Sequence, residues 1–184
     1  MIKLSILIPT LPIREEMFYK LFNELQSQCR DLGVEIGIDS REEVSIGAKR
    51  NDLLTKSKGE YVCFIDDDDT VSSTYIQDIL TAIECKPDCV SLRGVITWDG
   101  ASPELFEHSI RYNAYATTSN TIKYERYPNH LNTIKASIAK QFKFPEINHG
   151  EDQDWATQIH NSGLLKNEVY IDKVLYHYLF KPNK

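Results

Sequence analysis

Two acidic clusters stand out as candidate reactive groups in this 184-residue chain. Asp66, Asp67, Asp68 and Asp69 follow directly on the apolar run Tyr61-Val62-Cys63-Phe64-Ile65. Four adjacent carboxylates repel one another, and a divalent cation is their natural guest. The plain structural alternative is a solvated acidic turn after a strand, since Asp is favoured in turns. The second cluster is Glu151-Asp152-Gln153-Asp154. Mg2+ or Mn2+ binds well at one such cluster only when a ligand brings oxygens of its own, because these ions keep positions for water and phosphate. That favours a nucleotide diphosphate at Asp66–Asp69, with the metal neutralising a departing diphosphate. The second cluster is then free to supply a general base.

The elements that must carry these clusters alternate. Residues 3–8 form an apolar, β-rich run closed by Pro9-Thr10, and Met17, Leu21, Leu25 and Leu32 follow helical spacing up to a stop at Gly33. Val34 to Ile38 reads as a strand ending on Asp39-Ser40. A helix over 48–57 carries Lys49 and Arg50 in its first turn, where cations oppose the helix dipole. Their placement points to an anionic ligand or to a solvated basic face. The strand 61–65, the Asp run and a helix from Ser72 or Ser73 to Cys85, with one of those serines as N-cap, complete the series. Such alternation predicts a doubly wound, mostly parallel sheet with ligands outside its carboxyl ends. Thr10, Asp39 and Asp66–Asp69 are therefore expected around one crevice.

Beyond residue 85 the pattern changes. We read a strand over 89–98, a turn at Asp99-Gly100, irregular strands over 109–123, a polar loop over 127–132 and a short helix over 133–140. A helix from about Asp152 to Gly163 and strands over 168–171 and 174–180 close the chain, followed by a polar tail. The formal charge of −6 makes nucleic acid an unfavoured partner. No window approaches the roughly 18–20 apolar residues of a membrane span, so a soluble, cytoplasmic protein is expected. Cys29, Cys63, Cys85 and Cys89 contain no CxxC pair and read as reduced structural thiols.

Taken together, Ser5-Ile6-Leu7-Ile8-Pro9-Thr10, Asp39-Ser40, Gly47-Ala48-Lys49-Arg50-Asn51, Gly59 through Asp69, and Gly150-Glu151-Asp152-Gln153-Asp154 resemble the ordered motifs of family 2 glycosyltransferases of the GT-A fold. The resemblance covers roughly residues 3–180. It implies one α/β domain over 1–184, with a mostly parallel doubly wound central sheet and a small antiparallel acceptor-side portion. Residues 1–90 would form the nucleotide-sugar half, and 91–184 the acceptor and catalytic-base half. Thr10, Asp39 and Arg50 would then contact the nucleotide. Asp66 and Asp68 match the DxD positions, Asp66 on the ribose or sugar and Asp68 on the metal, with Asp67 in the donor-side set. Asp152 matches the general base of inverting transfer, and His177 the place where some relatives offer a third metal ligand; an ordinary strand histidine is the alternative. His130, Asn132 and Glu151 fall on the acceptor side, although the 128–135 stretch also reads as a structural polar loop.

The implied activity is metal-dependent, inverting transfer of a sugar from a nucleotide sugar, with UDP expected, to a hydroxyl acceptor. That acceptor is expected to be a glycan, a lipid-linked sugar or another hydroxyl compound, with nucleic acid entering only as a modified-base acceptor. Two features depart from the family pattern: Asp39 stands alone where an acidic pair is common, and the chain is short for the fold, implying a pared-down acceptor region. Asp66-x-Asp68-x-Thr70 also fits a haloacid dehalogenase-like phosphatase with an Asp66 nucleophile. A non-catalytic nucleotide- or carbohydrate-binding relative is the third reading. A calcium loop starting at Asp66 fails, because Val71 and Gln77 stand where Gly and Glu are required.

Overall fold

A computed structural model describes residues 1–29 and 32–180 of the chain. The strands β1 (Leu4–Pro9), β2 (Val34–Asp39) and β3 (Tyr61–Phe64) run parallel, with β1 in the middle, and are linked by the helices α1 (Glu15–Gln28) and α2 (Ile46–Lys56). Every residue of β1 and β3 is buried, as in a strand covered on both faces. Side-chain alternation divides them between two cores. Leu4, Ile6, Ile8, Tyr61 and Cys63 pack with Leu21 and Leu25 of α1. Leu7, Val62 and Phe64 pack on the other face with Leu53 and Leu54 of α2.

The Asp run leads at once into a second sheet through β4 (Thr70–Val71). The helix α3 (Tyr75–Ile83) returns over the first core. The strands β5 (Cys89–Val90) and β6 (Leu92–Trp98) then separate at Ser91, β5 joining the first sheet and β6 the second. They are followed by β7 (Ala101–His108), β8 (Ala116–Thr117), β9 (Ile122–Arg126), β10 (Ile134–Lys135), α4 (Ala136–Ala139), α5 (Glu151–Ser162), β11 (Glu168–Val169) and β12 (Val174–Phe180). The first sheet has the order β11-β5-β10-β3-β1-β2, with β10 antiparallel to its neighbours. The second, mixed sheet has the order β4-β12-β6-β7-β9-β8. Among the described residues no helix is long and apolar enough to cross a membrane, and the four cysteines are unpaired.

Several expectations need correction. The single strand expected over 89–98 is two strands in two sheets, since Ser91 bonds across to β11 and its continuation. Strand β7 was not foreseen, because Ser102, Pro103 and Glu104 break the apolar pattern. The expected helix 133–140 divides into β10 and α4. Thr74, not Ser72 or Ser73, stands at the N-cap of α3, and its hydroxyl bonds Asp78. Helix α1 ends at Gln28, short of Leu32; residues 30–31 and the polar tail 181–184 lie outside the described residues.

Gly47 connects the two halves. Its N–H donates to Ile147 O at 3.2 Å, and a Cβ there would lie 1.9 Å from Pro145 O. The carbonyl belongs to backbone, so neither side can yield cheaply. Gly47→Ala is expected to cost about 1–3 kcal/mol of stability, measured as a lower urea midpoint.

Candidate active site

The repulsion inherent in four adjacent carboxylates is relieved by donors of the protein itself. A tight turn, closed by Asp69 N–H on Asp66 O at 3.1 Å, sends the four side chains in different directions. Asp67 is buried and accepts Thr10 Oγ1 at 2.7 Å and Arg14 Nη1 at 2.9 Å. Asp69 is buried and accepts the Tyr176 hydroxyl at 2.8 Å and Leu179 N–H at 2.9 Å. Burial and the charge of Asp66 push the Asp69 carboxyl well above the usual range. Asp68 keeps a partly exposed side chain, with Arg14 Nη1 3.7 Å from its Oδ2.

Asp66 faces Arg50. The guanidinium donates from Nη2 to Asp66 Oδ1 at 2.8 Å, and its Nη1 lies 2.9 Å from Glu151 Oε1 as an ion pair off the line of a good hydrogen bond. It also lies against the edge-on pair of Phe64 and Phe144 rings, 5.8 and 5.7 Å from their centroids. Burial raises the Asp66 pKa, but Arg50 and His130 outweigh that and hold the carboxylate below its usual range. Glu151 and Asp152 reach the site because Gly150, at φ 83°, starts α5 in a left-handed conformation that suits glycine. The dipole of α5 favours both acids in its first turn.

His130 connects the clusters. The buried ring places Nε2 3.5 Å from Asp66 Oδ2 and Nδ1 3.5 Å from Asp152 Oδ2, and Phe64 N–H holds the His130 carbonyl at 2.9 Å. Asp152 is about one-third exposed, at the edge of a cavity of about 390 Å3 that Asp66, Asp69 and His130 also line. A second cleft of about 450 Å3 lies at the carboxyl end of β1, bounded by Thr10, Arg14, Lys49, Asp67 and the 42–46 loop. Lys49 is buried, donates from Nζ to Thr10 O at 2.8 Å, and has its pKa lowered by burial.

The expected crevice is thus divided. Thr10 and Asp67 face one cleft, Asp66 and Asp152 the other, with Arg50 and His130 between them. Asp39 lies beside the first cleft, its carboxylate gripped by Arg41, whose Nε and Nη2 donate to it at 2.9 and 2.5 Å. That hydrogen-bonded pair holds Asp39 below the usual carboxylate range. Asn132 is almost fully buried and braces the loop, donating to Val90 O at 3.0 Å and accepting Asn129 N–H at 3.0 Å. His177 sits on β12 between Tyr176, which bonds Asp69, and Tyr178, which lines the cavity beside Asp152. Strand alternation turns His177 to the opposite face from the acidic run. Lys49 and Arg50 serve internal oxygens, and the first amides of α2 bond Asn148 Oδ1, Ile147 O and Ser45 Oγ. Sequence reasoning missed Arg14 and Tyr176. Arg14 carried no signal in its loop, whereas Tyr176 could have been found from the alternation of β12.

Among the described residues no group of three or more His, Cys, Asp or Glu side chains forms a metal cage. The partly exposed carboxylate of Asp68, hard in character and next to the cleft walled by Asp67, still fits a cation that shares its coordination with phosphate and water.

Arg50 and Glu151 are both nearly fully buried, so removing the cation leaves an uncompensated carboxylate. Arg50→Ala is expected to cost about 3–5 kcal/mol, read as a fall in the urea midpoint. Arg50→Lys, which keeps the charge but not both arms, should lose less.

The fold matches solved structures of S. aureus TarS. TarS 1–349 aligns with a TM-score of 0.71 at 17% identity, covering 97% of this chain. Its complex with UDP-GlcNAc aligns at 0.73 with 16% identity over 100% of this chain, and its complex with UDP at 0.70 with 17% identity over 98%. The chain spans about 60% of the length of these structures. No curated protein matches. The two-sheet α/β architecture is the GT-A fold that the motif order implied. The sequence profile of "Glycosyl transferase family 2" matches residues 19–148, including α2, the Asp run and the His130 loop, and the chain belongs to glycosyl transferase family 2.

Proposed function

We propose that this protein transfers a sugar from a nucleotide diphosphate sugar, of which UDP-sugars are the first choice, to an acceptor hydroxyl with inversion. The observation that carries the reading is His130, whose two ring nitrogens lie 3.5 Å from Asp66 and 3.5 Å from Asp152. One side chain thereby joins a donor-side carboxylate to an exposed carboxylate that can take a proton. The nucleotide would lie in the cleft bounded by Thr10, Arg14 and Lys49. The UDP and UDP-GlcNAc complexes of TarS support the choice of nucleotide.

In the step proposed, Asp152 accepts the proton of the acceptor hydroxyl while that oxygen bonds the anomeric carbon. The bond from the anomeric carbon to the diphosphate oxygen breaks, and its electron pair leaves with the nucleotide. A divalent ion held through Asp68, Mg2+ or Mn2+, would supply charge neutralisation on that leaving group. Asp66, kept ionised by Arg50, would orient the donor. Asp67 and Asp69 have structural partners and would hold the turn. The phosphatase reading loses support: Arg50 and His130 occupy Asp66, and family and fold are those of glycosyltransferases.

The test is UDP binding by calorimetry with and without Mn2+, together with hydrolysis of a nucleotide-sugar panel. Asp68→Ala should abolish the metal-dependent part of UDP binding. Asp152→Asn should keep UDP binding and lower transfer by roughly 10²–10⁴-fold. Full transfer by Asp152→Asn would remove the base assignment.

A further inference from the structure

Sheet edges are where a β protein can add strands, and among the described residues three of the four edges here are blunt. Strand β11 closes one side of the first sheet, β4 and β8 close the second, and each is two residues long. Edges this short give another strand little to pair with. Strand β2, the remaining edge, runs six residues in unbroken register with β1 and contains neither proline nor bulge. Thr10 N–H donates to Asp39 O at 2.9 Å, so by the alternation of a parallel ladder Glu35, Gly37 and Asp39 turn their amides and carbonyls to β1. Those of Val34, Ile36 and Ile38 point outward, and among the described residues no strand or loop bonds them. Their side chains, with Phe22, Gln26 and Cys29 along α1, line an open groove of about 420 Å3. Ile38 is 43% exposed.

We propose that β2 is a self-association edge: a second copy of this chain pairs with it antiparallel, about a two-fold axis at Ile36, and joins two first sheets into one. The strand itself selects that occupant. Isologous pairing requires residue i to meet j and j to meet i, and the apolar residues Val34, Ile36 and Ile38 read alike in both directions about Ile36. In that register Val34 faces Ile38 of the second copy and Ile36 faces its own equivalent, so the outward residues form hydrogen-bonded pairs with two bonds each. Charge selects the same register. Glu35 falls opposite Gly37, which has no side chain. Centring on Gly37 would set Glu35 against Asp39, and centring on Glu35 would set it against its own equivalent; both put acid opposite acid, which destabilises a sheet. The apolar stripes of the two copies meet on the face that carries α1. Antiparallel pairing turns the carboxyl ends of the two β1 strands to opposite ends of the joined sheet, so the two acidic sites face away from each other. An unrelated extended peptide would satisfy the same amides but leaves the match of Glu35 with Gly37 unused.

The experiment is sedimentation velocity of the 184-residue chain from about 1 to 200 μM. A concentration-dependent monomer–dimer equilibrium is expected. Ile38→Lys places a lysine on the edge of each copy and should raise the dissociation constant by roughly tenfold or more. Ile147→Lys, at an isoleucine 49% exposed and off the strand, should leave it unchanged. Thermal melts check that each variant folds. The axis is tested by oxidation in a Cys29→Ser, Cys85→Ser background. Ile36→Cys should form an intermolecular disulfide, since directly opposed hydrogen-bonded residues have Cα atoms about 5.5 Å apart, whereas Ile38→Cys, facing Val34, should not. Ile38 is exposed, so Ile38→Lys carries the test if Ile36→Cys does not fold. The proposal is overturned if the chain stays monomeric throughout that range, if Ile38→Lys dimerises as the parent does, or if Ile147→Lys weakens the dimer as much. A cross-link through Ile38→Cys in place of Ile36→Cys would overturn the axis.

Discussion

The guanidinium of Arg50 is the point on which the site depends. It is a buried cation packed against two aromatic rings, with Asp66 on one arm and Glu151 on the other. Those acids come from the loop after β3 and from the first turn of α5, two segments far apart in the chain. A buried ion pair of this kind contributes little net stability against an apolar alternative, but it is intolerant of losing either partner. Its value here is positional: one planar fork fixes the separation of the two acidic clusters. The helix α2 that carries Arg50 is in turn fixed by Ser45 at its N-cap, by Asn148 and by the contact of Gly47 with Pro145.

Around that fork the Asp run behaves as four separate groups. Asp67 ties the run to the end of β1 through Thr10 and Arg14. Asp69 ties it to β12 through Tyr176 and the Leu179 amide, and so couples the second sheet to the first. Asp66 is held ionised by Arg50, and Asp68 keeps a partly exposed side chain beside Arg14. The two sheets therefore meet at the acidic turn, and the cavity in which Asp152 stands is walled by the second sheet, that turn, the 129–131 loop and the start of α5. The aromatic side of that cavity comes almost wholly from the second sheet and the 115–131 segment.

Much of the first half was legible because its physics is local. The near-continuous apolar runs of β1 and β3 and the helical spacing of Leu21 and Leu25 reported strands covered on both faces, and a ligand site at the strand ends was expected from that topology. The second half resisted for equally physical reasons. Strand β7 is formed by pairing with β6 and β9, not by its own pattern of Ala, Ser, Pro and Glu. The break at Ser91 is a choice between two sheets, visible only once both exist. Arg14 and Tyr176 act through partners 53 or more residues away.

By itself the sequence determined the alternation of strands and helices through residue 85, the two acidic clusters and their order, and the family to which that order belongs. Those features depend on residue type and near-neighbour spacing. Tertiary structure decided how each acid is partnered. A carboxylate is braced or left open according to the donor that reaches it, and the donors for Asp66, Asp67 and Asp69 arrive from α2, from the segment after β1 and from β12 respectively. It also decided that His130 stands between Asp66 and Asp152 and that aromatic residues of the second sheet enclose the space beside them. Burial and partner geometry in three dimensions, which no local pattern carries, set the charge and exposure of each group.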